Sequence, residues 1–216
     1  DVTNESDVLR CFRVLDVEKA VSGFRRSNPS AQQRSQPGTQ TGVEPVLLEP
    51  LRPDYDLYID APYNVFALSP GGVNSLPPEV YCARAGLTYG SVALEDAEQV
   101  AKHVTYPCPA DYIRTILSCG LPSVAARLTS DGTLVAWALT QPYLALGMVN
   151  VMPGHRRSGL GRAVVTLLAR QQLARGWTSH AYVSVDNVAS EQLFASLGYK
   201  KVERAYWTGC MVQTPS

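Results

Sequence analysis

From residue 87 onward, short apolar runs alternate with stretches in which apolar positions recur every three or four residues, the rhythm of strands interleaved with helices. Residues 87–94 predict a strand. Glu95-Asp96 opens a helical run through Val100 to Val104, and Tyr106-Pro107-Cys108-Pro109 breaks it. A second helix is predicted from about Ala110 to Ser118, ended by Cys119-Gly120-Leu121-Pro122. Residues 123–129 and 133–139 read as strands joined by Ser130-Asp131-Gly132, and Asp-Gly between two such runs is a strong hairpin signal. Gln141-Pro142 turns the chain again, and 145–152 is a short apolar run of the buried-strand kind. Leu160, Ala163, Val164, Leu167, Leu168 and Leu173 then fall on one helical face. Residues 180–185 predict another strand, followed by a helix that Gly198 ends.

Before residue 87 the rhythm is weak. Val8, Leu9, Phe12, Leu15, Val17 and Val21 suggest a short helix within 7–24. Residues 27–42, SNPSAQQRSQPGTQTG, carry Ala31 as their one aliphatic side chain and bury too little to offset their ordering entropy, so a flexible loop is expected there. Residues 46–48 and 57–59 look like strand pieces, and Pro70, Gly71, Gly72, Pro77 and Pro78 make a second break. The reading is therefore a partial amino-terminal domain or arm over 1–86 and an ordered domain over 87–216.

Composition narrows the class. With 45% hydrophobic and 18% charged residues in a chain of 216, a globular protein of one large or two small domains is expected. Nineteen basic side chains balance nineteen acidic ones, which argues against nucleic acid as a partner and leaves room for a local anion site. No apolar run of about 18 residues exists, so no membrane-spanning helix is predicted. Asp1 stands where a methionine would begin an unprocessed chain, and no charged-then-apolar leader follows it. Cys11, Cys82, Cys108, Cys119 and Cys210 are odd in number and widely spaced, which suits reduced thiols and an intracellular setting, cytoplasmic or mitochondrial. His103, His155 and His180 lie far apart, so no metal site is expected.

The chemistry concentrates after the 145–152 run. Pro153-Gly154-His155-Arg156-Arg157-Ser158-Gly159-Leu160-Gly161-Arg162 links that strand to the long helix. Unpaired N–H groups of a helix's first turn point at a ligand there, and the helix dipole adds positive potential. Glycines allow close approach, and Arg156, Arg157 and Arg162 offer charge-assisted bonds to phosphate oxygens. A P-loop would need lysine where Leu160 stands. A dinucleotide fingerprint would need glycine or alanine at Val164 and an acid near 177–180, where none occurs. The pattern met is Arg-x-x-Gly-x-Gly, at Arg156, Gly159 and Gly161.

On these residues the chain resembles the GNAT superfamily of acyl-CoA-dependent N-acyltransferases. A second block agrees with it: Asn187-Val188-Ala189-Ser190-Glu191-Gln192-Leu193-Phe194-Ala195-Ser196-Leu197-Gly198-Tyr199. Tyr206-Trp207 and the long arm before residue 87 are similar to the glycine N-acyltransferase-like branch. The resemblance implies an α/β fold with a mixed, mostly antiparallel sheet flanked by helices and splayed between its fourth and fifth strands, at 145–152 and 180–185. It implies acetyl-CoA or another acyl-CoA as co-substrate, a small-molecule amine as acceptor and no metal. Pantetheine would bond the backbone of Met148, Val149, Asn150 and Val151 like an added strand. The pyrophosphate would rest on Arg156, Arg157, Ser158, Gly159, Leu160, Gly161 and Arg162. Asn187 would reach the pantetheine arm and Phe194 would line the thioester pocket. Asn187 alone also suits a helix N-cap, and Phe194 plain core packing.

For catalysis, a backbone N–H near Val149 or Val151 is the candidate oxyanion donor. Many relatives place a glutamate on this strand, but Gly147-Met148-Val149-Asn150-Val151 holds no acid. Many also carry a tyrosine where this chain has Phe194. Ser184 or Tyr182 on the fifth strand, Tyr106 or ordered water are the substitutes. The expected activity is acyl transfer to a primary amine, such as glycine or another amino acid, and the competing reading is an acyl-CoA-binding module without transfer.

Overall fold

The computed structural model describes residues 62–79, 84–105 and 108–205 together with Cys82, and the backbone of 55–59 and 208–212. The helix expected within 7–24, the loop at 27–42, the strand piece at 46–48 and candidate Tyr106 lie outside the described residues. In chain order the elements are β1 (Tyr55–Ile59), β2 (Tyr63–Leu68), β3 (Leu87–Gly90), α1 (Ala97–Lys102), α2 (Ala110–Ser118) and β4 (Ser123–Leu128). Then come β5 (Leu134–Thr140), β6 (Leu146–Val151), α3 (Leu160–Ala174), β7 (Ser179–Ser184), α4 (Val188–Ser196), β8 (Lys200–Ala205) and β9 (Thr208–Val212).

Two compact units divide the chain, Asp1–Asp60 with Tyr206–Ser216, and Ala61–Ala205. In the first, β1 pairs antiparallel with β9, Tyr55 opposite Val212 and Ile59 opposite Thr208. The second holds a four-stranded sheet in the order β3-β4-β5-β6 and a three-stranded sheet in the order β7-β2-β8. Every ladder among the described residues is antiparallel.

The boundary expected between residues 86 and 87 does not separate these units. β2 lies before it, yet Val65 pairs with Tyr182 of β7 on one side and Glu203 of β8 on the other. Val65, Phe66 and Leu68 are buried. Their run does not alternate and sits between prolines, so it resembles neither a half-buried strand nor a helix on paper. The glycine- and proline-rich stretch after it is a 3-10 turn, Pro70–Ser75, whose far side drops Leu76 into the core.

β5 explains the layering. All seven of its residues are buried, in keeping with the unbroken apolar run LVAWAL that precedes Thr140. Val135, Ala136 and Ala138 pack with Val164, Val165 and Leu168 of α3. Trp137 and Leu139 meet Val100 of α1 and Ile113 and Ile116 of α2 in a second cluster. The hairpin into β5 turns at Gly132, with φ of 75°, where the Thr133 N–H donates to the Asp131 carboxylate at 2.9 Å.

A buried polar chain runs through the first cluster's far end. Gln172 of α3 donates from Nε2 to Thr140 Oγ1 at 3.0 Å and to the Leu144 carbonyl at 3.3 Å. Its Oε1 accepts from the Ser179 hydroxyl at 2.6 Å. With that proton committed, the Tyr199 hydroxyl 2.7 Å away donates to Ser179 Oγ. Gln172, Thr140 and Ser179 are all wholly inaccessible, so each donor and acceptor depends on the others. Because Leu144 precedes β6 and Ser179 opens β7, Gln172 ties the beginnings of both strands to α3.

Two outcomes follow from this chain. Gln172→Ala removes the donor to the Thr140 hydroxyl and the acceptor of the Ser179 hydroxyl over a new cavity, and urea unfolding should show a loss of about 2–4 kcal/mol. Burial pushes the Tyr199 phenol up to about 12, eased by its bond to Ser179. A phenol raised above its unfolded value stabilises the fold fully below about pH 10, and that contribution is lost as pH climbs from there toward 12. Unfolding midpoints measured from pH 8 to 12 should therefore fall more steeply in the wild type than in Tyr199→Phe.

Candidate functional site

β6 is bent by its own register. Trp137 pairs with Asn150 and Leu139 with Gly147, so Met148 and Val149 together face Ala138 alone. This is a β-bulge, and Met148 takes the extra step with a φ of +50°. A left-handed residue with a Cβ costs roughly 1–2 kcal/mol, which the packing on both faces must offset. Val149 and Val151 turn toward the α3 cluster, while Met148 and Met152 turn toward the α1–α2 cluster. Past the bulge, β6 pairs among the described residues only with β5, and β7 only with β2. Their facing edges carry no ladder, which is the splay expected between the fourth and fifth strands. Backbone groups on such an edge can receive an extended ligand as a further strand.

The loop after β6 leads into this opening. A 3-10 turn spans Pro153–His155, with the His155 N–H on the Met152 carbonyl at 2.8 Å. The Arg156 N–H reaches the Pro153 carbonyl at 3.4 Å. The next bonded amide is Ala163, which donates to Gly159 at 3.0 Å. Between them, the N–H groups of residues 157–162 find no acceptor among the described residues. Gly159 caps α3 at a φ of +81°, and Arg157 is also left-handed at +57°. The result is a run of amides at the positive end of a fifteen-residue helix, which suits a phosphate-bearing ligand.

Two of the loop's arginine side chains also bond to the protein itself. Arg156 donates from Nε to the Val151 carbonyl at 3.1 Å, pinning the loop to the end of β6. Arg162 donates to Ser196 Oγ at 2.8 Å and so reaches across to α4. Each has guanidinium N–H groups left for a ligand. Ser158 donates to the His155 carbonyl, so its hydroxyl shapes the loop. Leu160 points into the core at 2% exposure and contributes only backbone to the cradle. At Gly161 an added Cβ would lie 3.5 Å from Val151 and 3.8 Å from Leu193, so β6, α3 and α4 converge on that glycine.

On α4, the Asn187 carbonyl oxygen accepts from the Ser190 N–H at 3.1 Å and caps the helix, leaving its amide nitrogen for a ligand. Phe194 packs as the core residue that its sequence also suits. It is buried, stacked on Phe66 at 6.1 Å and edge-on to Tyr199 at 5.0 Å, inside the α3 cluster. A phenyl ring has no polar group to keep it at a wet thioester, and apolar contact draws it inward. On β7, Ser184 is half-buried, and Tyr182 sets its ring edge-on to Tyr143 at 5.8 Å and His180 at 5.9 Å. Burial, and then the Glu203 carboxylate, push the Tyr182 phenol up, so it stays protonated and suits a donor better than a base.

Two groups near these elements escaped the sequence reading. Asn64 of β2 is buried and donates from Nδ2 to the Glu191 carboxylate of α4, while its Oδ1 has no partner among the described residues. Arg84 brings its guanidinium against Gly159, with Cζ 3.4 Å from where a Cβ would stand. Neither carries a motif, and each meets its partner only through folding. Among the described residues, no three His, Cys, Asp or Glu side chains gather as metal ligands, and no helix is long and apolar enough to cross a membrane.

The two motif glycines should respond differently to one added methyl. Gly159→Ala forces a Cβ into a left-handed position and against the Arg84 guanidinium, with an expected cost of roughly 1–2 kcal/mol. Gly161→Ala makes only ordinary contacts, and its melting temperature should stay near that of the wild type. Thermal melts of the two variants side by side check the contrast.

Comparison with known proteins agrees with this geometry. Residues 124–208 match the model of a family described as FR47-like protein. A solved Drosophila protein superposes with a TM-score of 0.63 at 23% identity, covering 76% of this chain. This chain spans only 55% of that protein's length. A GCN5-related N-acetyltransferase from Kribbella flavida gives a TM-score of 0.52 at 21% identity over 88% of this chain and 74% of that one. An acetyltransferase described as of the GNAT family, from Novosphingobium aromaticivorans, gives 0.51 at 19% identity over 73% and 68%. The splayed strands, the amide-lined loop and these likenesses together identify the fold of this chain as the GNAT fold, with an FR47-like segment running from β4 to β9.

Proposed function

We propose that this chain is an acyl-CoA-dependent N-acyltransferase, moving an acetyl or other acyl group from a CoA thioester to a small primary amine. The observation that carries the reading is the conjunction of two unsatisfied backbone surfaces. The bulged edge of β6 and the acceptor-free amides of residues 157–162 adjoin along one chain segment. An extended amide chain ending in a pyrophosphate matches both. Glycine or another amino acid is the acceptor class suggested by the chain's resemblance to the glycine N-acyltransferase-like branch. The three described cysteines are unpaired thiols, which supports a cytoplasmic or mitochondrial setting.

The chemistry divides among few groups. A backbone N–H on the β6 edge, near Val149 or Val151, stabilises the oxyanion as the amine attacks the thioester carbonyl, and a well-placed donor of this kind is worth roughly a hundred- to a thousandfold in rate. A thiolate leaves readily, so a weak donor such as the protonated Tyr182 phenol or water suffices. The amine's own proton is the harder one, because β6 carries no carboxylate and Phe194 is committed to the core. That same absence favours a second reading, a module that binds acyl-CoA without transferring it. Calorimetry with acetyl-CoA and thiol release across a panel of amines decide between them. Binding with amine-dependent thiol release supports the enzyme, binding alone the module, and no binding overturns both.

Transfer without a dedicated base has a distinct pH signature. The rate under subsaturating amine should climb continuously toward the amine's own pKa, with no plateau near pH 6–7. A plateau that one side-chain substitution abolishes would identify a base on the protein.

A further inference from the structure

The amide cradle at the start of α3 is surrounded by more positive charge than its motif supplies. Cys82 lies against this turn, its thiol 3.9 Å from the Ala163 carbonyl. Among the described residues, Arg170, Arg84 and Arg162 lie within electrostatic reach of that thiol, with Glu79 the one opposing carboxylate. Two of the three arginines are occupied. Arg170 donates to the Leu76 and Pro77 carbonyls, between 2.9 and 3.3 Å, and Arg162 donates to Ser196. The Arg84 guanidinium makes no hydrogen bond or ion pair among the described residues, although its backbone carbonyl accepts from the Leu87 N–H at 3.2 Å. Its guanidinium nevertheless rests on Gly159, the residue whose left-handed turn opens the helix. An uncompensated cation at the positive end of a helix is electrostatically unfavourable unless an anion joins it.

We propose that Arg84 is a further ligand-binding residue, closing over the cradle from outside the loop and pairing with a phosphate of a CoA-type nucleotide. This rests on the reading of residues 157–162 as a phosphate site. Its chemistry is a planar, permanently charged fork presented to phosphate oxygens that the backbone amides already hold. The residue comes from the segment before β3, so nothing in Arg-x-x-Gly-x-Gly encodes it. The phosphate can be the pyrophosphate or the 3′-phosphate of the ribose, and the two differ in one commercial ligand, dephospho-CoA.

Calorimetry on the full chain should compare CoA with dephospho-CoA for the wild type, Arg84→Ala and Arg84→Lys. Arg84 is exposed and its side chain has no hydrogen-bond or ion-pair partner among the described residues, so both variants should melt like the wild type. Arg84→Ala should weaken CoA about tenfold to a hundredfold, with Arg84→Lys between, and should flatten the dependence of affinity on salt. An equal loss for both ligands assigns the pyrophosphate, and a loss confined to CoA assigns the 3′-phosphate. Unchanged affinity of both ligands for a folded Arg84→Ala would overturn the role of Arg84 while leaving the cradle intact. A wild type that binds neither ligand would overturn the cradle itself.

Discussion

The opening between β6 and β7 exists because Gln172 holds one end of it shut. A single amide side chain with no access to water bonds to Thr140 of β5, to the carbonyl before β6 and, through Ser179, to β7 and Tyr199. Two strands that begin at one tether but do not form a ladder must diverge, and the bulge at Met148–Val149 directs that divergence. Were the amide replaced by an aliphatic group, Thr140 Oγ1 would lose its donor and the Ser179 hydroxyl would be left with Tyr199 alone. The polar chain therefore helps specify the fold, and the gap between β6 and β7 follows from it.

Around that tether the site is mostly backbone. The surfaces offered to a ligand are the β6 edge and the amides of 157–162, and the side chains nearby chiefly secure them: Arg156 on Val151, Arg162 on Ser196, Ser158 on His155. A backbone site tolerates side-chain variety while its shape is kept, and the left-handed positions Met148, Arg157 and Gly159 are the ones restricted by conformation. This explains how a chain at about a fifth identity to its structural neighbours keeps their fold.

Local signals were legible in the sequence and long-range ones were not. The helix Ala110–Ser118, the Asp131-Gly132 hairpin and the strand–loop–helix from 146 to 174 each declare themselves through neighbours in sequence. β2 does not, because its identity as a middle strand depends on β7 and β8 arriving on either side. Phe194 was legible only in part for a related reason: its helix position was readable, but the ring's company, Phe66, comes from that unread strand. Arg84 was invisible by the same logic, since its contact with Gly159 exists only in three dimensions.

The position of β2 also sets the order in which this chain can be completed during synthesis. Asn64 and its partner Glu191 are separated by 127 residues, and β8 follows later still. Until those residues leave the ribosome, Val65, Phe66 and Leu68 have no sheet to enter, although the four-stranded sheet and α3 can already assemble. The nascent protein thus carries an orphan apolar strand while residues 69–178 are made, and its yield in a cell should depend on how well that strand is shielded while it waits.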